Sequence, residues 1–260
     1  GLIIAYLDWR WIFILVLPIA LGGLALGWRM MVNVATPRYA PLDLPSVLIS
    51  ALAFGGIVYG LSGIGGEHAA GTLPAWIPLV VGLVAMVIFV WRQLRLQQKD
   101  RALLDLRTLK SKNFTISMGM ISILMLAMFG TIILLPIYLV QVLGFDTLGT
   151  GLLLLPGGLL MGLLAPFVGR LYDRIGPSPL IIPAIVVVSA VLWAMTLLGT
   201  DTWWPAILIG HLVMSLGFAF LFGPLFTTSL SSVPPQLYSH GSALLGSVQQ
   251  VAGAAGVALF

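Results

Sequence analysis

Residues 169–176 read Gly169-Arg170-Leu171-Tyr172-Asp173-Arg174-Ile175-Gly176, and they lie between two long apolar segments, 147–168 and 178–199. A connection this short cannot form a domain, so the two segments must be antiparallel neighbours joined by a tight turn. Each segment has about the 20 residues that an α-helix needs to cross a bilayer. Three charges and two glycines in so short a loop suggest a functional device rather than a spacer.

The composition of the whole chain agrees with a membrane location. The 260 residues are 60% hydrophobic and only 8% charged, whereas soluble domains carry about 25% charged residues. The net charge of +4 is not a nucleic-acid signal, because the basic residues lie in the connections between apolar segments, where they can set topology. The chain contains no cysteine, which excludes disulfides and thiol catalysis.

Apolar segments long enough to span a bilayer recur along the entire chain. We place eight of them, at 11–28, 44–63, 74–91, 114–140, 147–168, 178–199, 203–226 and 240–260. All basic residues except Arg10 fall in alternate connections, and the positive-inside bias assigns those connections to the cytoplasm. The sequence therefore predicts an all-α polytopic membrane protein. Because the chain begins and ends inside apolar runs, we also expect it to be a piece of a longer protein.

The longest polar connection, 92–112, contains leucines among its charges. Two interpretations fit this pattern: a short amphipathic helix along the cytoplasmic face, or a solvated linker between two halves of the molecule. Both make the connection an organisational boundary.

The pattern Gly-x-Leu-x-Asp-Arg-x-Gly of residues 169–176 resembles the signature loop of the major facilitator superfamily. Other stretches are similar to its 14-helix drug:proton antiporter branch (QacA/EmrB type). These are 8–13 with Pro18, 102–107 with Phe114, 135–141 with Gly144, Gly151 and Pro156, and Gln249-Gln250 with Gly253 and Gly256. The resemblance implies a partial major facilitator helical bundle that covers about helices 6 to 13.

The same resemblance implies a division of the chain. Residues 1–32 would be the last helix of the N-terminal bundle. Residues 33–112 would be two inserted linker helices with a cytoplasmic linker, and residues 113–260 would be most of the C-terminal bundle.

The charged stretch departs from the signature at one place. Pro177-Ser178-Pro179 follows the second glycine where the full signature has basic residues, which fits the degenerate copy found in the second half.

The charged stretch is the candidate gating loop, formed by Gly169, Arg170, Asp173, Arg174 and Gly176. We expect Asp173 to lie near the start of a helix, where the helix dipole and the two arginines would favour its carboxylate. Such a cluster could latch the cytoplasmic ends of two helices in one state and release them in the other. The alternative is that these charges only set topology.

Candidates for contact with protons or substrate lie inside the segments. The segment interiors contain no Asp, Glu, Lys or Arg, so His211 is the candidate for proton coupling; a hydrogen-bonded structural histidine is the alternative. The resemblance places the helix of Gln249 and Gln250 and the segment of Met125 and Phe129 beside the central cavity, as substrate-binding candidates. Packing or lipid-facing roles are the alternative for the last two.

The resemblance implies a proton-coupled multidrug efflux transporter of the bacterial cytoplasmic membrane. It would export amphipathic, often cationic compounds by alternating access, with protons and membrane lipids as further partners and without cofactor, metal or nucleic acid. A dedicated exporter or importer of one metabolite, lipid or antibiotic on the same fold is the alternative, and an inert structural scaffold is a further one. An enzyme is disfavoured, because the sequence has no His-Glu-x-x-His or Gly-x-Ser-x-Gly motif and no intramembrane carboxylate.

Overall fold

A computed structural model describes Asp8 and residues 10–30, 43–64 and 74–259 of the chain. These ranges contain eight helices long and apolar enough to cross a membrane, which confirms the predicted segments and the all-α class. The first apolar run before Asp8, and Phe260 at the other end, lie outside the described residues. The helices are α1 Arg10–Met30, α2 Leu44–Ile64, α3 Trp76–Leu96, α4 Lys112–Ile137, α5 Thr147–Ile175, α6 Ser178–Met195, α7 Trp204–Ser231 and α8 Tyr238–Leu259.

The outer surface of these helices is apolar. Leu163 is 77% exposed, Trp193 is 76% exposed and Ile19 is 75% exposed. Water would penalise such exposure of large apolar side chains by about 25 cal/mol per Å², whereas the hydrocarbon of a bilayer does not. The surface is therefore adapted to lipid.

Contacts between helix ends show that α4 and α7 run in opposite directions, as successive helices that alternate in direction require. Beside the start of α4, the Ser111 hydroxyl donates to the Ser232 hydroxyl just after α7, at 3.1 Å. The end of α4 instead meets the turn before α7, where the Tyr138 hydroxyl donates to the Gly199 carbonyl at 2.7 Å. We call the first end the basic end, because the connection between α3 and α4 lies there. This connection and the adjoining helix ends hold seven lysines and arginines, at 92, 95, 99, 101, 107, 110 and 112.

One contiguous core joins most of the helices. It contains Phe89 of α3, Phe114 and Ile121 of α4, Val188 of α6, Phe218 and Leu225 of α7, and Leu245 of α8. A smaller cluster at the opposite end joins α4, α5 and α7 through Leu135, Leu139, Leu153 and Ile207. Close packing of this kind fixes the positions of the helices relative to one another.

The charged stretch 169–176 is not a loop, and that prediction is wrong. Helix α5 continues through Ile175, so that only Gly176 and Pro177 separate it from α6. The apolar segment ends at residue 168 because hydropathy marks only the part of the helix that lies in lipid. The helix itself continues for one to two further turns. The chain leaves the helix at Gly176, whose φ is +79°, a backbone conformation that side chains with a Cβ rarely adopt.

The connection between α3 and α4 matches neither predicted interpretation. It consists of two short 3₁₀ turns, Gln97–Lys99 and Leu106–Lys110. Leu104 between them is only 7% exposed and belongs to the main core. Asp105 caps the second turn by accepting a hydrogen bond from the Arg107 backbone N–H at 2.9 Å. The connection is therefore an anchored strap across the basic end.

Candidate functional site

A cavity of about 200 Å³ lies between the basic-end halves of α5 and α7. On α5 it is lined by Gly169, Tyr172 and Asp173 together with Met161 and Val168, and on α7 by residues that include Phe222 and Thr227. The walls are largely apolar, with an aromatic ring from each helix and one carboxylate. Such a lining can hold an apolar body and orient a cationic group.

The charges of the stretch 169–176 lie in the last two turns of α5. Arg170, Asp173 and Arg174 are exposed there. The expectation that Asp173 lies near the start of a helix is wrong, because the negative end of the helix dipole favours the two arginines and disfavours the carboxylate. Among the described residues no cation lies within salt-bridge distance of Asp173, so a latch on this carboxylate would need a partner from elsewhere.

The two glycines of the stretch have different structural roles. Gly176 has φ +79° and ψ −178°, a combination that is nearly restricted to glycine, and its N–H donates to the Tyr172 carbonyl at 2.9 Å. Gly169 is helical, and a Cβ built on it would meet nothing within 4 Å. Gly176 therefore ends the helix, whereas Gly169 leaves open space beside the cavity.

Tyr172 is a functional candidate that the sequence analysis missed. Its hydroxyl lies 3.1 Å from the Thr228 hydroxyl, which joins the end of α5 to the end of α7 beside the cavity. In the sequence pattern Tyr172 occupies one of the variable positions, and the distant Thr228 gives no local signal of a contact. The hydrogen bond between Tyr172 and Thr228 therefore links the two walls of the cavity directly.

His211 lies in the interface between α5 and α7. Its Nε2 is 3.2 Å from the Leu154 carbonyl; because a carbonyl oxygen only accepts, Nε2 carries the proton and donates. Its Nδ1 is buried without a partner among the described residues. Protonation of Nδ1 would create a buried N–H with no acceptor, so this arrangement suits a neutral, structural imidazole.

Gly157 of α5 makes room for the His211 ring. A Cβ built on Gly157 would overlap Nε2 of that ring and would lie 2.6 Å from the Ser215 hydroxyl oxygen. The neighbouring Gly158 has nothing within 4 Å of such a Cβ. The position of the imidazole therefore depends on one glycine of the Gly157-Gly158 pair.

The four substrate-binding candidates do not line the cavity between α5 and α7. Phe129 packs α4 against α8, since a Cβ on Gly253 would lie 2.9 Å from its ring and one on Gly256 3.1 Å from its Cβ. Met125 is half-buried against the main core. Gln250 is exposed, and Gln249 holds a buried amide Nε2 without a partner among the described residues.

Comparison with known proteins tests the origin of this helical arrangement. The sequence model described as Major Facilitator Superfamily matches residues 1–257. The chain belongs to the Major Facilitator Superfamily. This superfamily consists of transporters rather than enzymes. With eight candidate spans among the residues that the structure describes, and with bacterial relatives, this member is a multi-pass protein of the bacterial cytoplasmic membrane.

Relatives within the Major Facilitator Superfamily carry resistance names. The chain is 37% identical over 259 residues to a lincomycin resistance protein LmrB of Listeria innocua, and 35% identical over 260 residues to the protein of that name in Bacillus subtilis. It is 27% identical over 266 residues to a multidrug resistance protein B homolog of Mycobacterium tuberculosis. These alignments cover the whole chain but only 54%, 54% and 48% of the relatives. The chain thus spans about half the length of these relatives.

Proposed function

We propose that the protein containing this chain is a proton-coupled multidrug efflux transporter that exports amphipathic, often cationic compounds by alternating access. The observation that carries the proposal is the match of the whole chain to relatives named for lincomycin and multidrug resistance. The cavity between α5 and α7 supports it, since its apolar walls and single carboxylate suit an amphipathic cation.

In this proposal the end of α5 gates the cytoplasmic side. The Tyr172–Thr228 hydrogen bond holds α5 against α7, and Asp173 is free to pair with a cation of the other bundle or of a substrate. Arg170 and Arg174 stay at the membrane surface, where they favour a cytoplasmic location for this end. Rocking of the two bundles would make and break such contacts in alternation.

The substrate path in the C-terminal bundle would include Gln249 and Gln250 of α8 together with Met125 and Phe129 of α4. Gln249 is the best supported of the four, because its buried donor lacks a partner and a bound acceptor would satisfy it. Phe129 contributes by holding α4 against α8.

The driving force would come from protons that move inward. The membrane potential supplies about 2.3 kcal/mol per charge per 100 mV, so one net charge moved inward per cycle sustains roughly a fifty-fold gradient at that voltage. Asp173, near the basic end of α5, is the one carboxylate within the described membrane-spanning helices. His211 is the proton-coupling candidate within this chain, although its geometry suits a structural role better, and the main carrier would then lie outside this chain.

A dedicated exporter of one antibiotic is the second candidate. It is favoured by the relatives named for lincomycin resistance alone, since the fold does not fix the substrate. A membrane-embedded enzyme finds no support in a match to a family of transporters.

The test uses everted membrane vesicles from cells that express the complete protein. With an acidic lumen, we expect accumulation of ethidium that stops when a protonophore collapses the gradient; vesicles without the protein are the control. Accumulation that persists unchanged after collapse would contradict proton coupling. Parallel assays with a neutral dye and lincomycin separate the two candidates, because a dedicated exporter would transport only one of the three compounds.

A further inference from the structure

We infer that the α2–α3 hairpin moves with α4–α8 as one rigid body, so that the boundary between the two moving bundles lies before Asp43 and not at residues 112–113. The inference rests on the proposed alternating access, and it changes the predicted division, which separates 33–112 from the C-terminal bundle. Five sets of contacts carry it.

The hairpin is internally rigid at its basic end. The Arg92 guanidinium donates to both carboxylate oxygens of Asp43, from Nε to Oδ2 at 2.9 Å and from Nη2 to Oδ1 at 2.8 Å. This two-pronged geometry fixes orientation as well as distance. The Ser46 hydroxyl also donates to Asp43, so that three side chains hold the start of α2 against the end of α3.

The hairpin is also rigid along its length, because the two helices approach backbone to backbone. A Cβ on Gly60 would lie 2.6 Å from the Leu79 Cβ, and one on Gly82 would lie 2.5 Å from the Ile57 backbone nitrogen. Such glycine contacts bring helices closer together than larger residues allow. Neither helix can shift relative to the other without opening this interface.

A buried glutamine joins the hairpin to the strap between α3 and α4. Gln93 is fully buried, and its Nε2 donates to the Ser46 hydroxyl at 3.0 Å. Its Oε1 accepts from the Leu104 backbone N–H at 3.1 Å. Because both ends of the amide are used, separation of the strap from the hairpin would leave buried polar groups without partners.

The strap is in turn joined to the C-terminal bundle. The Nδ1 of His240, at the start of α8, lies 3.3 Å from the Leu103 carbonyl, and Ser111 contacts Ser232 after α7 at 3.1 Å. Leu104 of the strap lies in the main core. The polar contacts therefore run without a gap from α2 through α3 and the strap to α7 and α8.

Apolar packing follows the same route. Phe89 of α3 is 2% exposed and lies in the core that contains Phe114 and Leu245. The ring of Phe54 of α2 packs edge-on against the Phe89 ring, with 6.2 Å between the ring centroids. Helix α2 also packs directly against α8. By contrast, the described side chains of α1 are exposed. A shared packed core moves as a unit, and here that unit begins at Asp43.

The experiment measures distances between spin labels at the basic end of the complete protein. This chain has no cysteine, and any cysteine elsewhere in the complete protein is first replaced by serine. Met30→Cys, Leu48→Cys and Ile175→Cys then provide sites on α1, α2 and α5 at residues that are 73%, 67% and 48% exposed. Conditions that switch the transporter between its two states should leave the 48–175 distance unchanged. The 30–175 and 30–48 distances should shift together by several ångströms.

A constant 30–48 distance with a changing 48–175 distance would overturn the inference, because the hairpin would then move with α1. A change in all three would overturn it as well, because the hairpin would be a separate body. Distances that never respond would instead contradict alternating access, and the inference with it.

A pair of variants tests the route through Gln93. Gln93→Leu should broaden the 48–175 distance distribution, because it removes the link between the hairpin and the strap. Gln98→Leu, at an exposed position one turn further on, should not change it. Equal distributions in the two variants would contradict the role assigned to Gln93, even where both proteins fold and bind dye.

Discussion

At the scale of single residues, the two glycines of the charged stretch differ in backbone conformation. Gly176 has φ +79° and terminates α5, whereas Gly169 is an ordinary helical residue with open space around it. The sequence pattern treats them as equivalent members of one motif, because it records residue identity and not backbone conformation.

Gly176→Ala should therefore destabilise the protein by about 1–3 kcal/mol, the usual cost of a strained backbone conformation. Gly169→Ala should be neutral or stabilise by up to about 1 kcal/mol, because alanine favours a helix. Thermal unfolding of the purified proteins in detergent measures the difference. Equal unfolding midpoints for the two variants would contradict the assigned conformation of Gly176.

A second prediction at this scale concerns His211, whose Nε2 donates a hydrogen bond to the Leu154 carbonyl. His211→Gln retains an N–H donor and should keep most of the transport activity and its pH profile. His211→Leu removes the donor, so it should lower the free energy of unfolding by about 0.5–1.5 kcal/mol, the net contribution of one hydrogen bond, and with it the amount of active transporter. If His211→Gln transports dye but no longer responds to the pH gradient, His211 is a proton carrier and the structural reading fails.

Residue identity alone gave the candidates for chemistry at the charged stretch but not their surroundings. Asp173 was expected beside a helix start and lies beside a helix end, because the sequence does not mark where the hydrophobic helix continues into water. Tyr172 was missed because its partner, Thr228, is 56 positions away. Contacts over such separations follow from packing, which local patterns do not report.

At the scale of helices, the Asp43–Arg92 pair is the polar clamp of the α2–α3 hairpin. The hydrogen bond from Arg92, helped by that from Ser46, lowers the pKa of Asp43 from 3.8 to about 2. A carboxyl group whose pKa is lower in the folded state stabilises the fold above its unfolded pKa. This contribution is therefore complete above about pH 5 and is lost as the pH falls from 3.8 toward about 2.

We expect the thermal unfolding midpoint of the wild-type protein to fall over this acidic range more steeply than that of Asp43→Asn, which carries no titrating group at this position. Asp201→Asn changes an exposed aspartate between α6 and α7 and should keep the wild-type slope. An identical slope for wild type and Asp43→Asn would show that the pair does not stabilise the hairpin.

The existence and order of the helices could be predicted because each is an apolar segment of bilayer length. Their ends could not, because hydropathy marks the lipid-buried part, and α3, α5 and α7 extend beyond it to Leu96, Ile175 and Ser231. The structure of the strap between α3 and α4 could not be predicted either, because it depends on the hydrogen bonds of Gln93 and on the core in which Leu104 is buried.

At the scale of the whole molecule, the helix neighbours are what the sequence leaves open. The end of α2, at Ile64, and the start of α8, at Tyr238, are 174 positions apart in the chain, yet the two helices pack against each other. The resemblance to a known family supplied the division into bundles, and the packing of α2 against α8 supports our inference that α2 and α3 move with the C-terminal side. The roles proposed for the basic end depend on the topology of the chain in the membrane. In that topology, all the basic connections lie on the cytoplasmic side.

Cysteine labelling of the complete protein measures that arrangement most directly. Arg101→Cys, Arg174→Cys and, as the outward-facing control, Asp201→Cys place single thiols at exposed positions. A membrane-impermeant maleimide should label positions 101 and 174 in everted vesicles but not in intact cells, and position 201 in intact cells. Labelling of positions 101 and 174 from opposite sides would contradict the topology and every role derived from it.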